Sequence, residues 1–316
     1  MMNDDRGDYG RFCAEAPDMP IFMCDWYLDA VCGEGAWDAV LVRKGGSVVG
    51  VFPYFLKKKF LWRYVAMPPL CRMMGPYLLP EYRRTLRKEM SLLQELLDGL
   101  PKGLAAFEQD FNYTATNWLP FYWRGYSQTT RYSYTLPLTD LKTLRANLAP
   151  DYRNNKLPKA AARVRVRTGD DLELFFRIHN RSFQRQGLDA PVPLELLRRL
   201  DKVLAERNAR AIFCAADQKT GVVHSVAYLA WDRHTAYYLL AGDDPDLRSS
   251  GAGILLAWEA IRYARETLNL KTFDFVGSML KPIERVRRQF GAEPRPYFRV
   301  HKEWSLVWKL GKMLLR

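Results

Sequence analysis

Two stretches of this 316-residue chain spell the same order of elements, and that repetition limits the fold more than any other feature. Val48-Val49-Gly50-Val51-Phe52-Pro53-Tyr54 lines up with Val222-Val223-His224-Ser225-Val226-Ala227-Tyr228, and Leu104-Ala105-Ala106-Phe107 with Lys271-Thr272-Phe273-Asp274. Around both runs the order is helix, hairpin, strand, helix, strand. The strands are short β-branched and aromatic runs bounded by turn residues such as Lys44-Gly45-Gly46-Ser47. The helices show apolar residues at helical spacing, as in Leu86, Met90, Leu93, Leu96 and Leu97, and in Ile254, Trp258, Ile261 and Leu268. The expected fold class is α/β, an α+β arrangement with mixed sheet, built as two tandem modules packed together over residues 1–140 and 141–316. Residues 1–18 read as a tail, and Tyr64 to Leu79, rich in Pro and Met, carries no assignment.

The copies differ where the central strand meets the following helix. In the second, a strand ending Leu239-Leu240-Ala241 runs through Gly242-Asp243-Asp244-Pro245-Asp246-Leu247 into Arg248-Ser249-Ser250-Gly251-Ala252-Gly253 and a long amphipathic segment. Backbone N–H groups at a helix start lack partners inside the helix, and the helix dipole adds positive potential there. Small residues let an anion approach those donors, and Arg248 adds a fixed charge. Glycines before a helix also occur as plain turns, with Asp or Ser as caps. The first copy has Tyr77-Leu78-Leu79-Pro80-Glu81 at this place, so a phosphate site is expected in the second copy alone.

A formal net charge of +13 favours anionic partners without choosing among nucleotide, nucleic acid, precursor and lipid headgroup. The basic run Arg153, Lys156, Lys159, Arg163, Arg165, Arg167 is either an acceptor site, with Arg153 and Lys156 foremost, or a solvated helix face. Cys13, Cys24, Cys32, Cys71 and Cys214 are scattered without zinc-ligand spacing, so no metal is expected. The start of the chain is acidic and polar rather than signal-like, and no apolar run reaches the ~20 residues of a membrane span. A cytoplasmic protein is expected. The amphipathic, basic segment 304–316 either closes the module or lies peripherally on the inner membrane face.

Arg248, Gly251 and Gly253 form an Arg-x-x-Gly-x-Gly segment that resembles the acetyl-CoA pyrophosphate loop of the GNAT acyltransferases. Two such modules, with Phe273-Asp274-Phe275-Val276-Gly277-Ser278 and Val286-Arg287-Arg288-Gln289-Phe290-Gly291, resemble the Fem-type branch over roughly residues 20–300. The resemblance implies acetyl-CoA or another acyl-CoA as co-substrate, held by Arg248 to Gly253. It implies that backbone near Leu240 and Ala241 meets the thioester carbonyl, and that the acyl group passes to an amine of a small-molecule or cell-envelope precursor. The chain has no segment to spare for the long helical insertion of tRNA-using relatives, which counts against tRNA. Where those relatives have Lys in Phe-Lys-x-x-Phe-Gly, this chain has Arg287, suited to stabilising charge rather than carrying a proton.

Acyl transfer to an amine needs a base, an oxyanion site and a proton for the leaving group. Asp274 is the first candidate base, with His224 and Tyr238 behind it. Each has a plainer role open to it: Asp274 as a loop hydrogen-bonder, His224 as a structural histidine, Tyr238 as core. Two other functions stay open, an aminoacyl transferase acting on a peptidoglycan-type precursor and a non-catalytic module for an anionic surface or glycan.

Overall fold

The hairpin around Gly45 and Gly46 forms as two-residue turns require, with both glycines at positive φ (59° and 86°) and Lys44 paired with Ser47 across them. It joins β1 (Trp37–Lys44) to β2 (Ser47–Lys59). The structure, a computed structural model, describes residues 5–33, 35–184 and 192–305. Unit 1 holds the chain up to Arg131 and again from Pro296; unit 2 runs from Tyr132 to Arg295.

Before β1 lie α1 (Asp5–Glu15) and α2 (Asp25–Cys32). After β2 come β3 (Trp62–Ala66), β4 (Tyr77–Leu78), α3 (Pro80–Arg83), α4 (Leu86–Asp98), β5 (Leu104–Asp110) and α5 (Leu119–Trp123). The chain enters unit 2 within β6 (Ser127–Pro137). There follow α6 (Leu141–Ala146), α7 (Leu157–Arg163), β7 (Val164–Gly169), α8 (Leu172–Gln184), α9 (Leu194–Glu206), β8 (Arg210–Asp217), β9 (Val223–Trp231) and β10 (Thr235–Asp243). The last elements are α10 (Ala252–Glu266), β11 (Thr272–Asp274), α11 (Lys281–Gln289) and β12 (Glu293–Glu303).

Local chemistry explains the main elements. Asp171 begins α8 by accepting from the Leu174 N–H at 2.8 Å. In α10, Leu255, Leu256, Trp258 and Ile261 are buried against strand residues Phe213, Ala227, Leu229 and Tyr238, each large side chain contributing ~2 kcal/mol. In α4, Leu92, Leu93, Leu96 and Leu97 do the same for unit 1 against Phe52 and Phe107.

The sequence repeat is a repeat of ladders. In unit 1, β1–β2 and β2–β3 are antiparallel and β3–β5 parallel. In unit 2, β8–β9 and β9–β10 are antiparallel and β10–β11 parallel. The next strand in each unit comes from the other half of the sequence. β5 takes β12, from Arg299 opposite Asp110 to Glu303 opposite Ala106, while β11 takes β6, with Asp274 opposite Thr135. The division 1–140 and 141–316 is therefore corrected: the chain from Pro296 completes the β5 ladder and belongs with unit 1. Residues 5–15 are not a tail either, because α1 buries Tyr9, Phe12 and Cys13, three positions on one helical face. Within the unassigned Tyr64 to Leu79 lie the end of β3 and all of β4.

Candidate active site

β10 and β11 pair for three residues only, Thr235 with Thr272, Ala236 with Phe273 and Tyr237 with Asp274. β10 then continues to Asp243 on its other partner, β9, with an extra residue at Leu239 between the Tyr238–Leu229 and Leu240–Tyr228 pairs. Such a bulge sharpens twist and re-aims the strand. The strands part at Asp274, and Ala241, within β10, is exposed.

Asp274 has no accessible surface. Its Oδ1 accepts from the Ser133 hydroxyl on β6 and from the Val276 N–H at 2.8 Å. Its Oδ2 is buried with no hydrogen-bond partner among the described residues. Burial pushes the carboxyl up to about 6; the Ser133 and Val276 hydrogen bonds and the charges of Arg287 and Arg295 pull the other way. The turn that wraps Asp274 holds Val276 at φ 49°. A β-branched residue in the left-handed region costs on the order of 1–3 kcal/mol, the kind of strain found at functional sites.

Arg287, on α11, lies with its guanidinium 5.1 Å from the Phe275 ring. Tyr238 stands 6.0 Å from Phe273 and 6.1 Å from Phe275, ring to ring. Burial raises the Tyr238 phenol far above its ordinary value, helped by Asp243 and opposed by Arg287. Phe290 closes this wall against Phe275 (5.4 Å) and Tyr152 (5.4 Å). The charge of Arg287 acts on both Asp274 and Tyr238, but alternation along β11 puts Asp274 on the face opposite Phe273, against which Tyr238 packs.

His224 is not part of that group. It is an extra residue in β9, between the Ser225–Ala215 and Val223–Ala216 pairs, with Nε2 3.9 Å from the Asp217 carboxylate. Burial, aided by Arg163, lowers its pKa. Asp274 is level with Tyr237, which pairs with Ala230, six residues further along β9 or about 20 Å at strand rise. His224 is a loop-supporting histidine: its carbonyl accepts from the Asp244 N–H at 2.8 Å.

The loop after β10 is held at many points. Asp244 accepts from the Asp246 N–H at 3.1 Å, and Arg181 of α8 pairs with Asp244 and, at 3.0 Å, with Asp246. Ser250 donates to the Leu247 carbonyl (2.7 Å) and its oxygen faces the Ala252 N–H at 3.3 Å. Gly251 starts α10 at φ 72°, with a Cβ there meeting Ala160 at 3.5 Å and the Lys156 carbonyl at 3.9 Å. Arg248 and Ser249 are exposed. The space over Gly253 is taken, however: Asp243 Oδ1 lies 2.5 Å from where a Cβ would sit. Asp243 is held by Ser225 (2.7 Å) and by Arg248 at 3.6 Å. The residues fit an anion that draws Arg248 away from Asp243, because a half-exposed pair at that distance is worth ~0–1 kcal/mol. Beside the loop, Lys156 pairs with Asp151 (3.2 Å) and lies over Tyr152 (4.9 Å), while Arg153 donates to the Ala146 carbonyl at 2.8 Å. Gly251→Ala should destabilise the protein by ~1–2 kcal/mol through its left-handed conformation, read as a lower urea midpoint. An unchanged midpoint would contradict that geometry.

Sequence reasoning missed Ser133, 141 residues from its partner Asp274, and Asp243, whose role shows only once Gly253 is in place. Among the described residues no cluster of three or more His, Cys, Asp or Glu is arranged for a metal ion, and no helix is long and apolar enough to cross a membrane.

Unit 2 thus combines mixed ladders repeated from unit 1, a central strand that leaves its parallel neighbour, and a glycine-started helix beyond it. The family model of the acetyltransferase (GNAT) domain matches residues 151–297, nearly all of them in unit 2, and the chain has the Fem-like tandem-GNAT fold. The structure of FemX is similar over 98% of this chain and 98% of its own, with a TM-score of 0.70 at 14% identity. A tandem GNAT protein from the clavulanic acid biosynthesis pathway is similar over 95% and 96%, at 0.57 and 15% identity. L-PGS from Bacillus licheniformis is similar over 98% and 94%, at 0.56 and 10% identity. No curated protein sequence matches this chain.

Proposed function

We propose that unit 2 is an N-acyltransferase that moves an acyl group from an acyl-CoA to an amine of a small-molecule or cell-envelope acceptor, with Asp274 as the base. The observation that carries this reading is the unpartnered Oδ2 of Asp274 where β10 and β11 part. A carboxyl at about 6 is ionised at neutral pH yet basic enough to take a proton. A bound thioester supplies an activated acyl carbon. The acceptor nitrogen bonds to that carbon, the carbon–sulfur bond breaks, and the nitrogen's proton goes to Asp274. Tyr238, which keeps its proton at neutral pH, lends that proton to the leaving sulfur and regains one from solvent, while Asp274 releases the proton it took to solvent, so both groups return to their starting states. Arg287 offsets negative charge in the cleft, and backbone N–H groups near Leu240 and Ala241, past the bulge, suit the carbonyl oxygen. Arg248 to Gly253 would hold the donor's phosphates, and Arg153 and Lys156 an anionic group of the acceptor. The same reading places the protein in the cytoplasm, with an acceptor that is soluble or at the inner membrane face.

Thermal-shift titration with CoA thioesters is the test. Stabilisation that Arg248→Glu abolishes is expected; no shift with any CoA thioester would overturn the donor. One observation favours a second reading, aminoacyl transfer: the Asp243 carboxylate already fills the space over Gly253. Passage of a labelled amino acid into a precursor, without a CoA shift, would establish that alternative.

A further inference from the structure

The turn between β2 and β3 breaks the rule that the Gly45–Gly46 turn obeys. Lys59 pairs with Trp62, so the loop is Phe60 and Leu61 alone. Two-residue hairpins favour Gly, Asn or Asp because they need positive φ, yet here Phe60 takes φ 53°. Phe60 is 79% exposed and Leu61 93%, so neither contributes to the core. The fold supplies no reason for two large apolar side chains at this tip.

Their surroundings are uniformly basic. Lys57, Lys58 and Lys59 on β2 and Arg63 on β3 are exposed, and Lys58 stands directly opposite Arg63. Like charges across a ladder oppose folding. No carboxylate pairs with any of these four among the described residues. Arg63 donates to the Lys102 carbonyl at 2.6 Å and lies opposite Leu104, which ties the tip to the start of β5. The same end of unit 1 carries Trp304, 44% exposed, whose backbone N–H donates to the Ala105 carbonyl at 3.0 Å. Lys302 lies 5.0 Å from the Trp304 ring and 5.3 Å from Tyr126. A groove of about 450 Å³ here is lined by Lys102, Arg124, Tyr126, Lys302 and Trp304 among others; its one acidic residue, Asp98, is paired with Arg124 at 2.7 Å.

The geometry points to this end of unit 1 as a docking surface for an anionic lipid bilayer. Phe60 and Leu61 enter the interface, the lysines and Arg63 meet lipid phosphates, and Trp304 lies at headgroup depth. A two-residue apolar tip is far smaller than the ~1,000 Å² a specific protein interface needs. It suits a membrane surface, where one weak apolar anchor and a polybasic patch act together. The surface lies in unit 1 and stands apart from the acyl-transfer reading of unit 2.

Sedimentation of the full chain with vesicles tests it, using phosphatidylcholine alone or with phosphatidylglycerol added. Binding is expected only where phosphatidylglycerol is present. Combined Lys57→Gln, Lys58→Gln and Lys59→Gln should weaken it on the order of a hundredfold, and combined Phe60→Ser and Leu61→Ser on the order of a hundredfold or more. As exposed substitutions, both sets should leave the thermal midpoint in place. The proposal is overturned if the wild-type chain ignores phosphatidylglycerol vesicles, or if both variants bind like wild type. It is also overturned if the tip instead mediates self-association, seen as a dimer in size-exclusion chromatography that Phe60→Ser and Leu61→Ser dissolve.

Discussion

Asp274→Asn is expected to silence acyl transfer and to stabilise the fold in the same stroke. Loss of a general base removes roughly 10²–10⁴-fold of rate. The carboxyl is raised by burial from 3.8 to about 6, so the folded chain favours its neutral form. Stability from this group is full below pH ~4 and is lost as pH rises through about 6. At pH 7 the buried charge therefore costs ~3 kcal/mol, which the neutral amide does not incur. The measurements are kcat/KM against pH, expected to rise through about 6 in the wild type, and the thermal midpoint of the variant, expected to increase. Ser133→Ala should move the kinetic limb to higher pH, because it removes the hydrogen bond that holds the carboxylate down. A variant that gains stability and keeps full activity would make Asp274 a structural residue and exclude it as the base.

The second large effect belongs to unit 1. Arg299 of β12 meets Asp110 of β5 through two hydrogen bonds, at 2.6 and 2.8 Å, and lies 3.5 Å from Glu108. Asp110 is 6% exposed, so removing the guanidinium leaves a nearly buried carboxylate uncompensated. Discounted for the partly exposed arginine, Arg299→Ala should cost ~2–3 kcal/mol. Urea unfolding followed by probes in each unit is the measurement: the transition of unit 1 should shift to lower urea and that of unit 2 should not. Equal shifts in both would show that the pair is not specific to the β5–β12 ladder.

Elements whose determinants are local are legible in the sequence. The Gly45–Gly46 turn, the Asp171 cap and the apolar face of α10 are each contained within a few residues, and the ladder repeat can be read from Val48–Tyr54 and Val222–Tyr228. The family model and the similar folds agree with the tandem-GNAT reading drawn from Arg248, Gly251 and Gly253. What the sequence hides depends on distant contacts. Asp274 can be named from its place after a helix, but its partner Ser133 comes from β6, and nothing near either residue announces the pair. His224 reads as a companion of Asp274 because both sit on strands of the same module; the register puts them at opposite ends. The strand exchange is hidden because β12 looks like the natural close of the second module. Segment 306–316, read as amphipathic, lies outside the described residues.

That exchange has a consequence in time. Unit 2 is continuous from Tyr132 to Arg295, whereas the β5 ladder needs residues 299–303. On a ribosome the first unit to be made is the last that can close, and its β5 edge waits unpaired while the whole of unit 2 is synthesised. Bringing Arg299 to Asp110 closes a loop of nearly two hundred residues, a separation that slows assembly unless the intervening chain has already condensed. The half of the protein without the glycine-started helix thus depends on the other half to be finished, so the chain has reason to inherit, duplicate and lose its two modules together rather than one at a time.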